Sequence, residues 1–374
     1  MKAPSNLTLT FILVSTLLAA CDSEKNSRID LGILLPLTGD NAQWGVPPRN
    51  GVELAVEEFN ATSKDFSIGI LEEDSRCTPD DGVSGLEKLA SVHSIRFVVG
   101  AACSTVTLAI APIAEKNKIL LVSPASTHPD VTNAGDFIFR VVPSDALRGK
   151  VLAEYLYSDL GVRRVGLLYI NNETGVGGRD AFANTFLSLG GSLVAEEAYQ
   201  EGASEMRSQL SKLANKDLEG VVVISFLRDT VLVMRQRVEL GITIPFFYQT
   251  EAVEDPNVLR EAGKAAEGAI YVLATSSDNA ATEDFRAAYK SEFNHSPELY
   301  AAEGYDIGRL LTKGIKTIGY DTVTSEALRD FLYSTQGYQG ASGTISFDKH
   351  GDVVKPMDIK EIQNGEPTVI ATKN

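Results

Sequence analysis

From Ile29 onward the chain alternates short, continuously apolar runs with stretches of helical period. IDLGILLPLTG is a run of strand-forming residues that ends in a glycine turn, and NGVELAVEEFN then sets Val52, Val56 and Phe59 on one helical face with Glu53 and Glu57 elsewhere. The unit recurs. IRFVVGAAC is followed by a helix from Ser104 to about Lys118, and ILLVSPAS by the strand RRVGLLYIN and a helix over Asp180–Leu189. GSLVAEEAY precedes a helix near Ser204–Ala214, GVVVISF precedes Arg228–Leu240, PFFYQTEA precedes Pro256–Ala262, and GAIYVLA precedes Glu283–Phe293. Strands that are apolar throughout, and separated by helices, belong to parallel sheets covered on both faces. No Gly/Ser-rich linker, low-complexity tract or short repeat interrupts them, so two α/β lobes joined by ordinary strands are expected.

Open α/β sheets take ligands outside the carboxyl ends of their strands, which turns the strand list into a site list. Trp44 follows the first strand, Ser104 follows RFVVGAAC, and Ala125, Ser126 and Thr127 follow ILLV. Thr174 lies after VGLLYI, Phe226 after VVVIS and Glu251 after PFFYQ. Each has a plainer use. Ser104 suits a helix N-cap, Thr127 a turn, Glu251 a solvated loop and Trp44 a core. The carboxylates Glu72, Glu73 and Asp74 suit a solvated strand end.

Leu7–Ala20 is an apolar run with Lys2 before it, and it stops at Cys21. A spanning helix needs about 20 apolar residues, so the run is too short for a permanent span and reads as a secretory signal. Leu18-Ala19-Ala20-Cys21 resembles the lipobox of bacterial lipoproteins. That resemblance implies cleavage after residue 20 and acyl chains on Cys21, and several chains anchor stably where one does not. An ordinary signal with a chance cysteine is the alternative. Asp22 resembles the signal that retains such lipoproteins on the inner membrane, which implies a periplasmic location. In a single-membraned cell the location would be the outer face of the cell membrane.

About 350 residues remain after Cys21, enough for two domains. A formal net charge of −16 leaves no basic patch to neutralise phosphates, which excludes nucleic acid as a partner. The 44% hydrophobic and 7% aromatic content is that of a globular chain. Cys77 and Cys103 are 26 positions apart in an exported chain, and a disulfide is expected between them, worth about 3 kcal/mol; two buried thiols are the alternative. The four histidines are scattered without ligand spacing, so neither a metal nor a cofactor is expected. GVGGRD at Gly175–Asp180 follows a strand but lacks the third glycine of a dinucleotide fingerprint. With no nucleophile elbow or phosphate loop either, the chain reads as a non-enzyme.

LLPLTGDNAQWG…NGVELAVEEFNA, GAACSTVTLAIAPIAEKNKILLVSPASTHPDVT, FRVVPSD and YAAEGYDIGRLL are similar to the branched-chain amino-acid binding protein family, the type I periplasmic solute-binding proteins of ABC transporters. The similarity runs from about Ile29 to the C-terminus and includes the Cys77–Cys103 spacing. It implies two Rossmann-like lobes with parallel sheets, joined by a three-strand hinge. The expected division is signal 1–20, tether 21–28, a first lobe of 29–146 with 275–336, and a second lobe of 147–274 with 337–374. It further implies that Ser104, Thr127 and N–H groups around Ala125 hold an α-carboxylate, that Glu251 holds an α-ammonium and that Trp44 packs on the ligand. Thr174 and Phe226 stand where the family usually has tyrosines, which puts leucine, isoleucine and valine specificity in question. The function implied is capture of an amino acid or related small solute and delivery to an ABC permease. The alternative is a lipoprotein of the same fold that acts as sensor or regulator of a membrane or cell-wall partner.

Overall fold

The computed structural model describes residues 27–275 and 279–373. The signal segment and Cys21 lie outside the described residues. In the first lobe β1 (Ser27–Leu35), β2 (Phe66–Asp74), β3 (Phe97–Gly100), β4 (Leu120–Ser123) and β5 (Ile138–Arg140) form a parallel sheet in the order β2-β1-β3-β4-β5. Helices α1 (Val46–Thr62), α2 (Pro79–Ser91) and α3 (Ser104–Asn117) cover it. Every residue of β3 and β4 is buried, as a strand sandwiched between helices requires.

After β5 the chain crosses to the second lobe. There α4 (Asp145–Glu154), α5 (Glu173–Ser188), α6 (Arg207–Ala214), α7 (Leu227–Glu239) and α8 (Pro256–Ala262) alternate with β6 (Arg164–Ile170), β7 (Ser192–Tyr199), β8 (Gly220–Ile224), β9 (Phe246–Tyr248) and β10 (Ile270–Ala274). A second crossing brings α9 (Ala280–Phe293), α10 (Ala301–Ile318), α11 (Ser325–Tyr333) and the hairpin β11 (Tyr338–Gly340) and β12 (Gly343–Ile345) back to the first lobe. The chain then adds β13 (Met357–Gln363) and β14 (Glu366–Lys373) antiparallel to the second sheet, giving the order β14-β13-β10-β9-β8-β6-β7.

The return of α10 depends on glycine. A Cβ at Gly51 of α1 would lie 2.1 Å from the Ala301 carbonyl oxygen, and one at Gly304 of α10 would lie 2.0 Å from that of Pro48. The two backbones therefore touch, and Val52 and Val56 share one core with Ile307 and Leu311.

Three details differ from the sequence reading. Ile345, Phe347 and Val353 pack into the first lobe's core with Leu31 and Phe139, so the third crossing lies between Val353 and Met357 and not at 336/337. Helix α5 starts at Glu173, seven residues before Asp180, with the Asn172 side chain accepting the Gly175 N–H at 2.9 Å. The glycines of GVGGRD serve packing: a Cβ at Gly175 would stand 1.9 Å from the Ile170 carbonyl, and one at Gly177 would stand 2.7 Å from the His128 ring. Finally, Asp74 accepts from the Leu37 and Arg76 N–H groups and the Thr38 hydroxyl, so this strand end fastens the loop after β1. No helix among the described residues is long and apolar enough to cross a membrane.

Candidate functional site

A cavity of about 780 Å³ opens between the lobes where the carboxyl ends of both sheets meet. Its size is within the range of small-molecule sites. Trp44, Ser104, Ala125, Thr127, Thr174, Phe226 and Glu251 all line it. Ser126 does not. It is fully buried, with its hydroxyl 2.7 Å from that of Thr107 and 2.9 Å from the Ala101 carbonyl, so it braces the wall behind the cavity.

Ser104 opens α3, but Cys103 occupies the cap position and the serine does not cap its own helix. Its hydroxyl oxygen instead accepts the His128 N–H at 3.2 Å, which leaves its proton free to donate into the cavity. The first N–H groups of α3 have no carbonyl within their own helix, and with the helix dipole they favour an anion. Across from them the Ala125 and Ser126 N–H groups both point at the Ser123 hydroxyl, at 3.3 and 2.9 Å. Ala125 thus presents its methyl group rather than a free donor.

The carbonyl of Thr127 accepts the Asp145 N–H at 2.8 Å, and its side chain hydrogen-bonds the Asp145 carboxyl. The disulfide Cys77–Cys103, with a Cα–Cα separation of 5.6 Å, closes the rim beside α3. It ties the loop before α2 to the residue that caps α3.

Aromatic rings link the two lobes. Trp44 of the first lobe meets Phe226 at the start of α7 edge-on, with centroids 5.6 Å apart, and lies 6.0 Å from the Tyr300 ring. Thr174 is in the first turn of α5, half-buried, where a short side chain leaves room.

The polar end of the cavity differs most from the sequence reading. Glu251 has two protein partners: its Oε2 accepts from the Arg148 guanidinium and its Oε1 from the Tyr300 hydroxyl. Arg148 is 5% exposed and its Nη1 also stands 3.8 Å from Asp145. Burial alone would raise the Glu251 carboxyl, but Arg148 and the Tyr300 hydrogen bond overcome it and hold the group below the usual glutamate range. Asp145 goes the other way, because burial outweighs Arg148 and the Thr127 hydrogen bond and raises its carboxyl. Burial and the neighbouring Glu251 charge raise the Tyr300 phenol, keeping it a neutral donor. Tyr300 has a left-handed backbone, φ 66°, at the residue before α10, an unusual conformation for a bulky residue.

Arg148, Asp145 and Tyr300 escape the strand-end rule because they lie on the crossings between lobes. The first two open α4 and the third precedes α10. A signal was present all the same, since Asp145 closes FRVVPSD, Tyr300 opens YAAEGYDIGRLL and Arg148 follows three residues after the first of these. Among the described residues no group of three or more His, Cys, Asp or Glu could hold a metal ion.

A family profile described as periplasmic binding protein matches residues 28–367. The Leu/Ile/Val-binding protein homolog 3 of Brucella melitensis is 25% identical over 343 residues, covering 90% of this chain and 92% of its own length. The leucine-, isoleucine-, valine-, threonine- and alanine-binding protein of Pseudomonas aeruginosa is 24% identical over 362 residues, covering 94% of each. A crystal structure of a leucine-binding protein from Thermotoga maritima aligns with a TM-score of 0.83 at 26% identity, over 92% of this chain and 99% of that one. The chain belongs to the periplasmic binding protein family, with the branched-chain amino-acid binding proteins as its relatives, and is a binding protein and not an enzyme.

Proposed function

We propose that this protein captures an amino acid or related small solute in the interlobe cavity and delivers it to an ABC permease. It works while tethered to the inner membrane by acyl chains on Cys21. No bond is made or broken; selection and lobe closure are the whole task. One observation carries the reading: a cavity of about 780 Å³ lined from both sheets, with the Ser104 hydroxyl proton free to donate beside the start of α3. A hinged pair of lobes with its donors in the cleft fits capture and closure. The names of the relatives, which bind leucine, isoleucine and valine, support an amino-acid-sized solute.

Thermal unfolding in the presence of amino acids, their amides and small organic acids tests the proposal. A ligand that binds only the folded state raises the midpoint with its concentration. One chemical group of solutes is expected to do so. Replacing Ser104 with alanine should then weaken that solute by about 1.5–3 kcal/mol, the worth of a hydrogen bond to a charged group, as read by calorimetry. No rise with any compound would favour a sensor or regulator that works without a captured solute. The anchor has its own test: mass spectrometry of membrane-extracted protein should find acyl mass on Cys21, and an unmodified cysteine there removes it.

A further inference from the structure

We propose that the cleft selects a small organic carboxylate that carries no α-ammonium group, because Arg148 already holds the position such a cation would take on Glu251. The inference rests on the reading of the cavity as a solute site and narrows the solute class.

Glu251 is the carboxylate that an incoming ammonium would need, and each of its oxygens already has a partner. Arg148 donates to one and Tyr300 to the other. Arg148 cannot readily withdraw into water, since its side chain is 6% exposed and it is packed at the base of α4. An ammonium set on Glu251 would therefore lie against a fixed guanidinium. Like charges in a water-poor site repel strongly, and a buried cation without a partner of its own is costly.

Asp145 offers no substitute. Its Oδ1 is 3.8 Å from the same guanidinium, its side chain bonds Thr127, and its residue is 4% exposed. The one cation thus stands between the two carboxylates and serves both.

The opposite wall is made for a negative group. Ser104 has a proton to give, and Ser104 and Thr105, the first two residues of α3, line the cavity at the positive end of the helix. Trp44, Phe226, Leu108 and Ile170 also line the cavity and supply apolar surface for a hydrocarbon or aromatic body. A carboxylate with an uncharged body meets a partner at each point. An amino acid would have to set its cation on the exposed carboxylates Asp130, Glu173 or Glu201, where water weakens the pairing, and not on Glu251.

Full-length protein in mild detergent, freed of carried-over solute, would be titrated calorimetrically with pairs that share a body. Examples are L-leucine with 4-methylpentanoate and L-phenylalanine with 3-phenylpropanoate, extended to the aliphatic, aromatic and acidic amino acids and their amine-free counterparts. The amine-free member is expected to bind at least tenfold more tightly wherever a pair binds. In Arg148→Gln the preference is expected to reverse, because Glu251 is freed for an ammonium; a general loss of packing would weaken both members alike. If Arg148→Gln does not fold, the comparison in the unaltered protein decides alone. Tighter binding of the amino acid in the unaltered protein overturns the inference and leaves solute capture standing. No binding by any member of the panel overturns both.

Discussion

Glu251→Ala is expected to lower the stability of the ligand-free protein by about 3–5 kcal/mol, an effect on folding and not merely on a ligand. The carboxylate is the direct partner of Arg148, whose guanidinium is almost wholly buried and whose Nε has no hydrogen-bond partner. Removing it leaves the buried cation with Asp145, 3.8 Å away, as its counter-charge, and leaves the Tyr300 hydroxyl without its acceptor. Glu251→Gln keeps one acceptor oxygen, for either Arg148 or Tyr300, and should lose less than alanine does. The double variant Glu251→Leu with Arg148→Met should recover most of the loss, since replacing a whole buried pair with apolar groups is often neutral. Urea unfolding of the four proteins without solute reads this directly. A loss under about 1 kcal/mol for Glu251→Ala, typical of an exposed pair, would show that the carboxylate is not the counter-charge of Arg148.

The same cluster sets a dependence on pH. Glu251 is held below the value it has in the unfolded chain, so its contribution is complete above the ordinary glutamate range. It is lost as pH falls through the depressed value. Asp145 runs in the opposite sense. Its carboxyl is raised in the folded protein, so it weakens the fold as pH climbs from the unfolded value, about 3.9, through the folded one. The Glu251→Ala loss should therefore shrink in acid, because the unaltered protein gives up the pair there.

What could be read from the sequence follows from where each residue sits on the chain. The parallel strands β3, β4 and β8 are buried on both faces and appear as unbroken apolar runs, so FVVG, LLVS and GVVVI are plain. The site residues at strand ends follow from the same runs. Ser126 shows the limit of the rule, because a turn of successive residues points its side chains in different directions. Thr127 lines the cavity while Ser126 faces the wall behind it.

The C-terminal strands do not stand out as apolar runs, although Asn364-Gly365 between β13 and β14 carries a strong hairpin signal. Both residues have positive φ, 55° and 81°. The strand β14 has no wholly buried residue and so lacks the apolar run that marked the others. Arg148 was hidden for a different reason. An arginine three residues after an aspartate looks like an exposed helical pair, and only the folding of α4 against the 3₁₀ turn at Glu251–Glu254 shows what it meets.

Arg140→Met should cost about as much as the loss of Glu251, roughly 3–5 kcal/mol, and for reasons that bear on the site. Arg140 ends β5 and is wholly buried. Its Nε and Nη2 bind the two oxygens of Asp352 at 2.6 and 2.8 Å, and Nη2 also donates to the Thr132 hydroxyl at 2.7 Å. Nη1 donates to the carbonyls of His128 at 2.8 Å and Ser126 at 3.3 Å. One side chain thus ties the turn that carries Thr127 to the segment that precedes the third crossing. Lysine carries the charge but not the planar fork, so Arg140→Lys should recover only part of the loss. Arg309 offers the contrast: its pair with Glu58 at 2.9 Å is 47% and 32% exposed, and Arg309→Met should change stability by at most about 1 kcal/mol. Urea unfolding of the three variants side by side compares the two sites. Equal losses at Arg140 and Arg309 would mean that the buried fork adds nothing beyond an exposed ion pair, and that the turn at 126–128 holds its shape without it.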